Sequence, residues 1–95
     1  MTEKAIEMKM GEAVRKRGGL FYKFISPNTP GVPDRILITP AGAVWFVELK
    51  TDNGRLSGMQ RWQKAELEKR NANVRVIYGW EEAQKFVQEV LLNGI

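Results

Sequence analysis

Three side chains in the stretch Gly31–Lys50, GVPDRILITPAGAVWFVELK, have the types and spacing to do chemistry together: Asp34, Glu48 and Lys50. Asp34 stands just before one apolar run, Arg35-Ile36-Leu37-Ile38. Glu48 and Lys50 lie at the end of a second, Val44-Trp45-Phe46-Val47. A β-strand alternates its side chains, so Val44, Phe46, Glu48 and Lys50 share one face and Trp45, Val47 and Leu49 the other. Apolar residues on both faces imply a strand covered on both sides. A carboxylate and an ammonium on such a face are costly to desolvate unless paired or bound to something. A divalent ion meets that need, with Asp34 as the second carboxylate and the backbone carbonyl of Leu49 as a third oxygen. Mg²⁺ suits this donor set, because it takes hard oxygen ligands and keeps several of its waters. Water on such an ion loses its proton more readily, and the ion offsets charge on a phosphoryl oxygen. Lys50 is placed to orient or deprotonate that water and to stabilise an anionic transition state. The chemistry expected is phosphodiester hydrolysis. Taken singly, each residue has a plainer use: Asp34 as a turn residue after Pro33, Glu48 with Lys50 as a solvated cross-strand pair. It is their combination in one basic chain that points to a site.

The elements that must position these residues follow from periodicity. Residues 3–17 form an amphipathic helix with Thr2 as N-cap, Gly18 as its stop, and Ile6, Met10, Ala13 and Val14 as its apolar stripe. Glu3 and Glu7 fall at the edge of that stripe, within reach of a site beneath, whereas Glu12 points to solvent. Leu20–Ile25 is a strand by its aromatic and β-branched content, and puts Lys23 on a face with Phe21 and Ile25. There Lys23 is either a cation beside the site or an edge lysine reaching solvent. The loop SPNTPGVP, Ser26–Pro33, fixes the approach to Asp34 through its prolines. Arg35 is either a phosphate clamp or a surface arginine. Pro40-Ala41-Gly42 turns the chain between two strands. Ser57-Gly58-Met59-Gln60 fits a capping box at the start of a helix, which gives Gln60 a structural use. Trp62 is expected in the core or at a subunit contact, with base stacking as its lesser alternative. Val74–Tyr78 completes a right-handed parallel βαβ unit from Val44. A last helix carries Ala83, Phe86, Val87, Val90 and Leu91 on one stripe, for core coverage or a dimer contact.

Composition narrows the chemistry further. Cysteine and histidine are both absent from the 95 residues, which excludes disulfides, thiolate nucleophiles, serine–histidine triads and His- or Cys-based zinc sites. A hydrophobic share of 43% predicts a folded domain, read as one unit over 1–95. There is no long apolar run and no signal-peptide pattern, so a cytoplasmic location and no membrane contact are expected. Net charge is +4. Because the last fifteen residues hold Glu81, Glu82 and Glu89 against Lys85, the first eighty carry 14 basic against 8 acidic side chains. The basic surface therefore lies near the site, as attraction to phosphates requires. Arg55 in the turn-rich segment 51–55, and Arg61 and Lys64 on the helix that follows, are the candidate backbone contacts.

Gly31-Val32-Pro33-Asp34-Arg35 followed by Val47-Glu48-Leu49-Lys50 resembles the signature of the VRR-NUC domain, the virus-type replication-repair branch of the PD-(D/E)XK nucleases. The likeness runs from about Glu3 to about Tyr78 and includes Gly18-Gly19, Tyr22-Lys23-Phe24 and the segment Leu56–Gln60. It implies an α/β restriction-endonuclease-like fold in the order αβββαβα, a small mixed sheet flanked by helices. It also implies a Mg²⁺- or Mn²⁺-dependent endonuclease acting on branched or flapped DNA. Standalone members are similar to Holliday junction resolvases, which implies a homodimer and a phage or bacterial setting. By the same resemblance Glu7, with Glu3 as the runner-up, is the helix carboxylate of the site, Lys23 sits near the scissile phosphate, and Gln60 contacts the active-site water or the DNA. The rival readings are a non-catalytic nucleic-acid-binding module and an RNA-directed or flap nuclease on the same scaffold.

Overall fold

A computed structural model describes residues 1–91. The elements run α1 (Glu3–Lys16), β1 (Leu20–Lys23), β2 (Arg35–Ile38), β3 (Val44–Lys50), α2 (Gly58–Lys69), β4 (Asn73–Tyr78) and α3 (Gly79–Leu91). This is the expected α/β order, with a single mixed sheet in the spatial order β1-β2-β3-β4. β1, β2 and β3 pair antiparallel, and the βαβ crossover through α2 sets β4 parallel to β3.

Thr2 caps α1, its hydroxyl accepting from the Ala5 N–H at 3.1 Å. Gly18, at φ +81°, ends the helix with a backbone conformation that a side chain would disfavour. The apolar stripe of α1 packs with that of α3 over one sheet face. Ile6, Met10, Val14, Phe86, Val87 and Leu91 meet Leu37, Val47, Leu49 and Ile77 there, all almost fully buried. Burying a Phe86- or Leu91-sized side chain stabilises by about 2–3 kcal/mol, so this layer holds the domain together.

The opposite sheet face is covered unevenly. α2 lies over the β4 end but contributes no fully buried residue. Toward β1 the register stacks Leu20, Ile38 and Val44 in one row and Tyr22, Ile36 and Phe46 in the next. Leu20, Tyr22 and Val44 remain 45%, 53% and 42% exposed.

Two expectations need correcting. β1 stops at Lys23 rather than Ile25, and Ile25 is exposed, because β2 begins only at Arg35 and past it a single bond, from the Phe24 N–H to the Asp34 carbonyl, continues the pairing. Trp62 is not in the core: it is 56% exposed on the outer side of α2, which is too thinly covered to bury an indole.

Candidate active site

The site forms where β2 and β3 part. The antiparallel register pairs Arg35 with Val47, and one step further it sets Asp34 opposite Glu48. Alternation turns both acids to the α2 side, while Arg35 goes to the α1 side with Leu37 and Val47. Buried Pro33 and a hydrogen bond from the Phe24 N–H to the Asp34 carbonyl, 2.8 Å, fix the backbone at the aspartate. The same alternation gives Thr39 and Ala43 the backbone bond that faces β2 from β3. By that rule the Leu49 carbonyl faces the β2 side, past the point where β2 begins.

Glu48 is only 6% exposed. Its pKa is pushed from 4.5 to about 7, first by burial and then by the charge of Asp34. Lys50 pulls it down, Glu3 adds to the rise, and Arg35 opposes it. Lys50 stands 3.9 Å from the Glu48 carboxylate, too far for a direct hydrogen bond, so the pair is held by charge alone. Gln60 supplies the bond that Lys50 does not. Its Nε2 donates to Glu48 Oε2 at 3.3 Å, while its Oε1 accepts from the Ser57 N–H at 2.9 Å. The capping box thus fixes which end of the amide faces Glu48, and the structural and site roles of Gln60 coincide in one side chain. Gly31 locks the arrangement from the other side. It lies at φ +88°, and a Cβ there would come within 2.6 Å of the Met59 carbonyl and 2.9 Å of the Gln60 nitrogen. The proline-rich loop is therefore seated on the first turn of α2.

Arg35 proves to be a different residue from the one expected. It is 8% exposed, so it is not a phosphate clamp. Its Nη2 reaches Glu7 at 2.7 Å and its Nη1 reaches the Asp34 carboxylate at 2.8 Å. Burial alone would lower its pKa, but the bonds and charges of Glu7 and Asp34 outweigh that and raise it. Its Nε has no partner among the described residues. Glu7 thereby meets Asp34 through a guanidinium rather than directly, while Glu3 adds its charge at Glu48. The signal was present in the sequence: position 35 alternates with Leu37 and Val47 on the core face, where a cation must be paired.

The basic residues divide into two groups, and the clefts of the first are lined by none of Asp34, Glu48, Lys50 and Gln60. Arg55 and Arg61 line one cleft of about 620 Å³, and Arg61 and Lys64 an adjoining one of about 660 Å³, with Leu56 and Tyr78 shared between them. Arg61 also donates to the Leu56 carbonyl at 2.9 Å, and Lys64 is bonded to Glu68 at 3.1 Å. Lys23 lies on the other side, beside α1.

As a metal centre the site offers the Asp34 and Glu48 carboxylates and the Leu49 carbonyl. No group of three acids capable of holding an ion occurs among the described residues. Such a donor set fits an ion that keeps several waters, as Mg²⁺ does, and does not fit an all-protein cage. The buried, under-compensated charge of Glu48 beside Asp34 is what a divalent ion would relieve.

Comparison with known proteins gives the family. The VRR-NUC domain family model matches residues 1–81. The chain is similar to "Putative nuclease p44" of Acyrthosiphon pisum secondary endosymbiont phage 1, 42% identical over 67 residues, covering 70% of this chain and 72% of that protein. A solved structure described as a VRR_NUC domain superposes with a TM-score of 0.85 at 30% identity, covering 93% of this chain and 97% of the other. With Asp34, Glu48 and Lys50 brought together at the parting of β2 and β3, and the matched model running from α1 through β4, the chain belongs to the VRR-NUC family of nuclease domains.

Proposed function

We propose that the protein is a Mg²⁺- or Mn²⁺-dependent endonuclease that hydrolyses phosphodiester bonds in branched DNA, with four-way junctions as the preferred substrate class, and that it acts as a homodimer. The observation that carries this reading is the buried Glu48 set opposite Asp34, with Lys50 and Gln60 on the same carboxylate. Asp34, Glu48 and the Leu49 carbonyl would hold the ion. When bound, the ion supplies an acidic water and offsets charge on the phosphoryl oxygens. Lys50 brings a cation to the face where the phosphorane charge develops. Gln60, fixed by its cap, holds Glu48 in one orientation and keeps a donor at the site. Arg55, Arg61 and Lys64 form the backbone-contacting side.

The dimer has its own support. One subunit has one site, and symmetric cutting of a four-way junction needs two. The apolar rows containing Leu20, Tyr22 and Val44 leave a sheet face open for a second copy. The test is cleavage of junction, flap, linear duplex and RNA substrates by wild type and Glu48→Ala. Loss of metal-dependent cutting in the variant, with junctions cut fastest by wild type, is the expected result. Unchanged cutting by Glu48→Ala would refute the assignment.

A further inference from the structure

Gly11 is a buried glycine in the middle of α1, and its φ is not positive, so no turn or left-handed backbone requires it. Relative to alanine it costs the helix about 1 kcal/mol. Its effect is on a neighbour. An ideal Cβ at Gly11 would lie 3.0 and 3.2 Å from the two terminal nitrogens of Arg15, one turn on. The missing side chain lets the Arg15 guanidinium lie against the helix instead of extending into solvent.

That guanidinium borders a cavity of about 310 Å³ between α1 and the edge strand β1. Lys4, Gly11 and Arg15 line it from one face of α1, and Phe21 and Lys23 from β1. Lys4, Arg15 and Lys23 are all exposed, and among the described residues none is in an ion pair. On and just after α2, by contrast, Lys64, Lys69 and Arg70 are each bonded to a glutamate, and Arg61 is bonded to the Leu56 carbonyl. The acid in the cavity is Glu7, and its charge is engaged by Arg35, which in turn holds Asp34. The cavity therefore abuts the active site through Glu7 and Arg35, on the side away from Arg55 and Arg61.

We infer that Lys4, Arg15 and Lys23 form a phosphate subsite that grips the nucleic-acid backbone beside the cut, with Gly11 as its floor. The inference rests on the nuclease reading and extends it: the strand is held on both sides of the active site rather than along α2 alone. Three cations around one small hollow, with Phe21 and Met8 as its apolar part, suit a phosphodiester, and they carry no information about base sequence. Each contact releases counterions, so removal of one cation lowers the salt slope of binding by about 0.9.

The test measures binding of a labelled four-way junction in Ca²⁺ buffer at several salt concentrations, followed by steady-state cleavage in Mg²⁺. The proteins are wild type, Arg15→Ala, Lys4→Ala, Gly11→Met and, as control, Lys85→Ala on α3. Arg15→Ala and Lys4→Ala should each weaken binding by about three- to tenfold and flatten the salt slope by about one. KM should rise while kcat is kept. Gly11→Met keeps every charge but fills the floor, and should weaken binding while circular dichroism and a cooperative melt show the fold kept, which separates the subsite from a general loss of charge or fold. Lys85→Ala should bind as wild type does. If wild type binds and cuts but Arg15→Ala, Lys4→Ala and Gly11→Met match it, the subsite is overturned and the nuclease reading stands. If wild type neither binds nor cuts, both fall together.

Discussion

Glu48→Gln should stabilise the protein in a pH-dependent way. The wild-type carboxyl titrates at about 7 in the fold against an ordinary value of 4.5. Below 4.5 it is protonated in both folded and unfolded chains, and it costs nothing. Between 4.5 and 7 the unfolded chain gives up the proton while the folded one retains it. Stability therefore falls as pH rises, by about 1.4 kcal/mol per pH unit, to a total of about 3 kcal/mol above pH 7. A glutamine fills the same space and has no charge to desolvate. Urea denaturation in metal-free buffer at pH 5 and pH 8 reads the effect, because all other titrations cancel in the difference between the two proteins. The advantage of Glu48→Gln should widen by about 2–3 kcal/mol from pH 5 to pH 8, on the order of 10 °C in Tm for a domain of this size. Mg²⁺ at pH 8 should stabilise wild type and leave the variant unchanged. Parallel pH curves for the two proteins would refute the claim that Glu48 is held as a strained, under-compensated charge.

The bridge, the cap and the loop each yield a further expectation. Arg35→Met leaves Glu7 and Asp34 without their shared cation and should cost about 2 kcal/mol of stability, less than a fully buried pair because both acids are partly exposed. Chemical denaturation checks it, and Glu7→Gln in the same background should recover part of the loss. Gln60→Glu keeps the capping box but turns the donor at Glu48 into a like charge. Its pH–rate profile should shift to higher pH than that of wild type, with helix content by circular dichroism unchanged. Gly31→Ala meets both an unfavourable φ and the backbone of Met59 and Gln60. It should destabilise by about 1–3 kcal/mol and slow cleavage by displacing Gln60, as paired melting and rate measurements would show. Tyr22→Glu places a charge on the open sheet face and should shift a dimer to monomer in sedimentation.

Much of this was legible in the sequence because the period of two fixes which residues share a face. Alternation alone set Glu48 and Lys50 on one face, Asp34 was joined to them as the second carboxylate an ion would need, and the capping box at Ser57–Gln60 announced the start of α2. The end of β1 was not legible: Phe24 and Ile25 have strand-forming side chains, but a strand lasts only as long as its partner, and β2 starts at Arg35. Trp62 lies outside the core for a related reason, since whether a helix face is buried depends on how far the sheet extends beneath it. The bridge from Glu7 through Arg35 to Asp34 joins residues far apart in the chain across two layers. Local pattern could show that Arg35 needed a partner but not which acid would supply it. The seating of Arg15 over Gly11 is likewise a matter of side-chain placement on a helix surface, where spacing shows neighbours but not the space between them.

The most direct test of the central claim is a gel assay of end-labelled four-way junction, flap and linear duplex with Mg²⁺ or Mn²⁺, comparing wild type with Asp34→Asn. Wild type should cut in a metal-dependent way, and the cutting should vanish in Asp34→Asn while the variant still binds junction DNA. Binding by both proteins with cutting by neither, across all substrates and both metals, would contradict it.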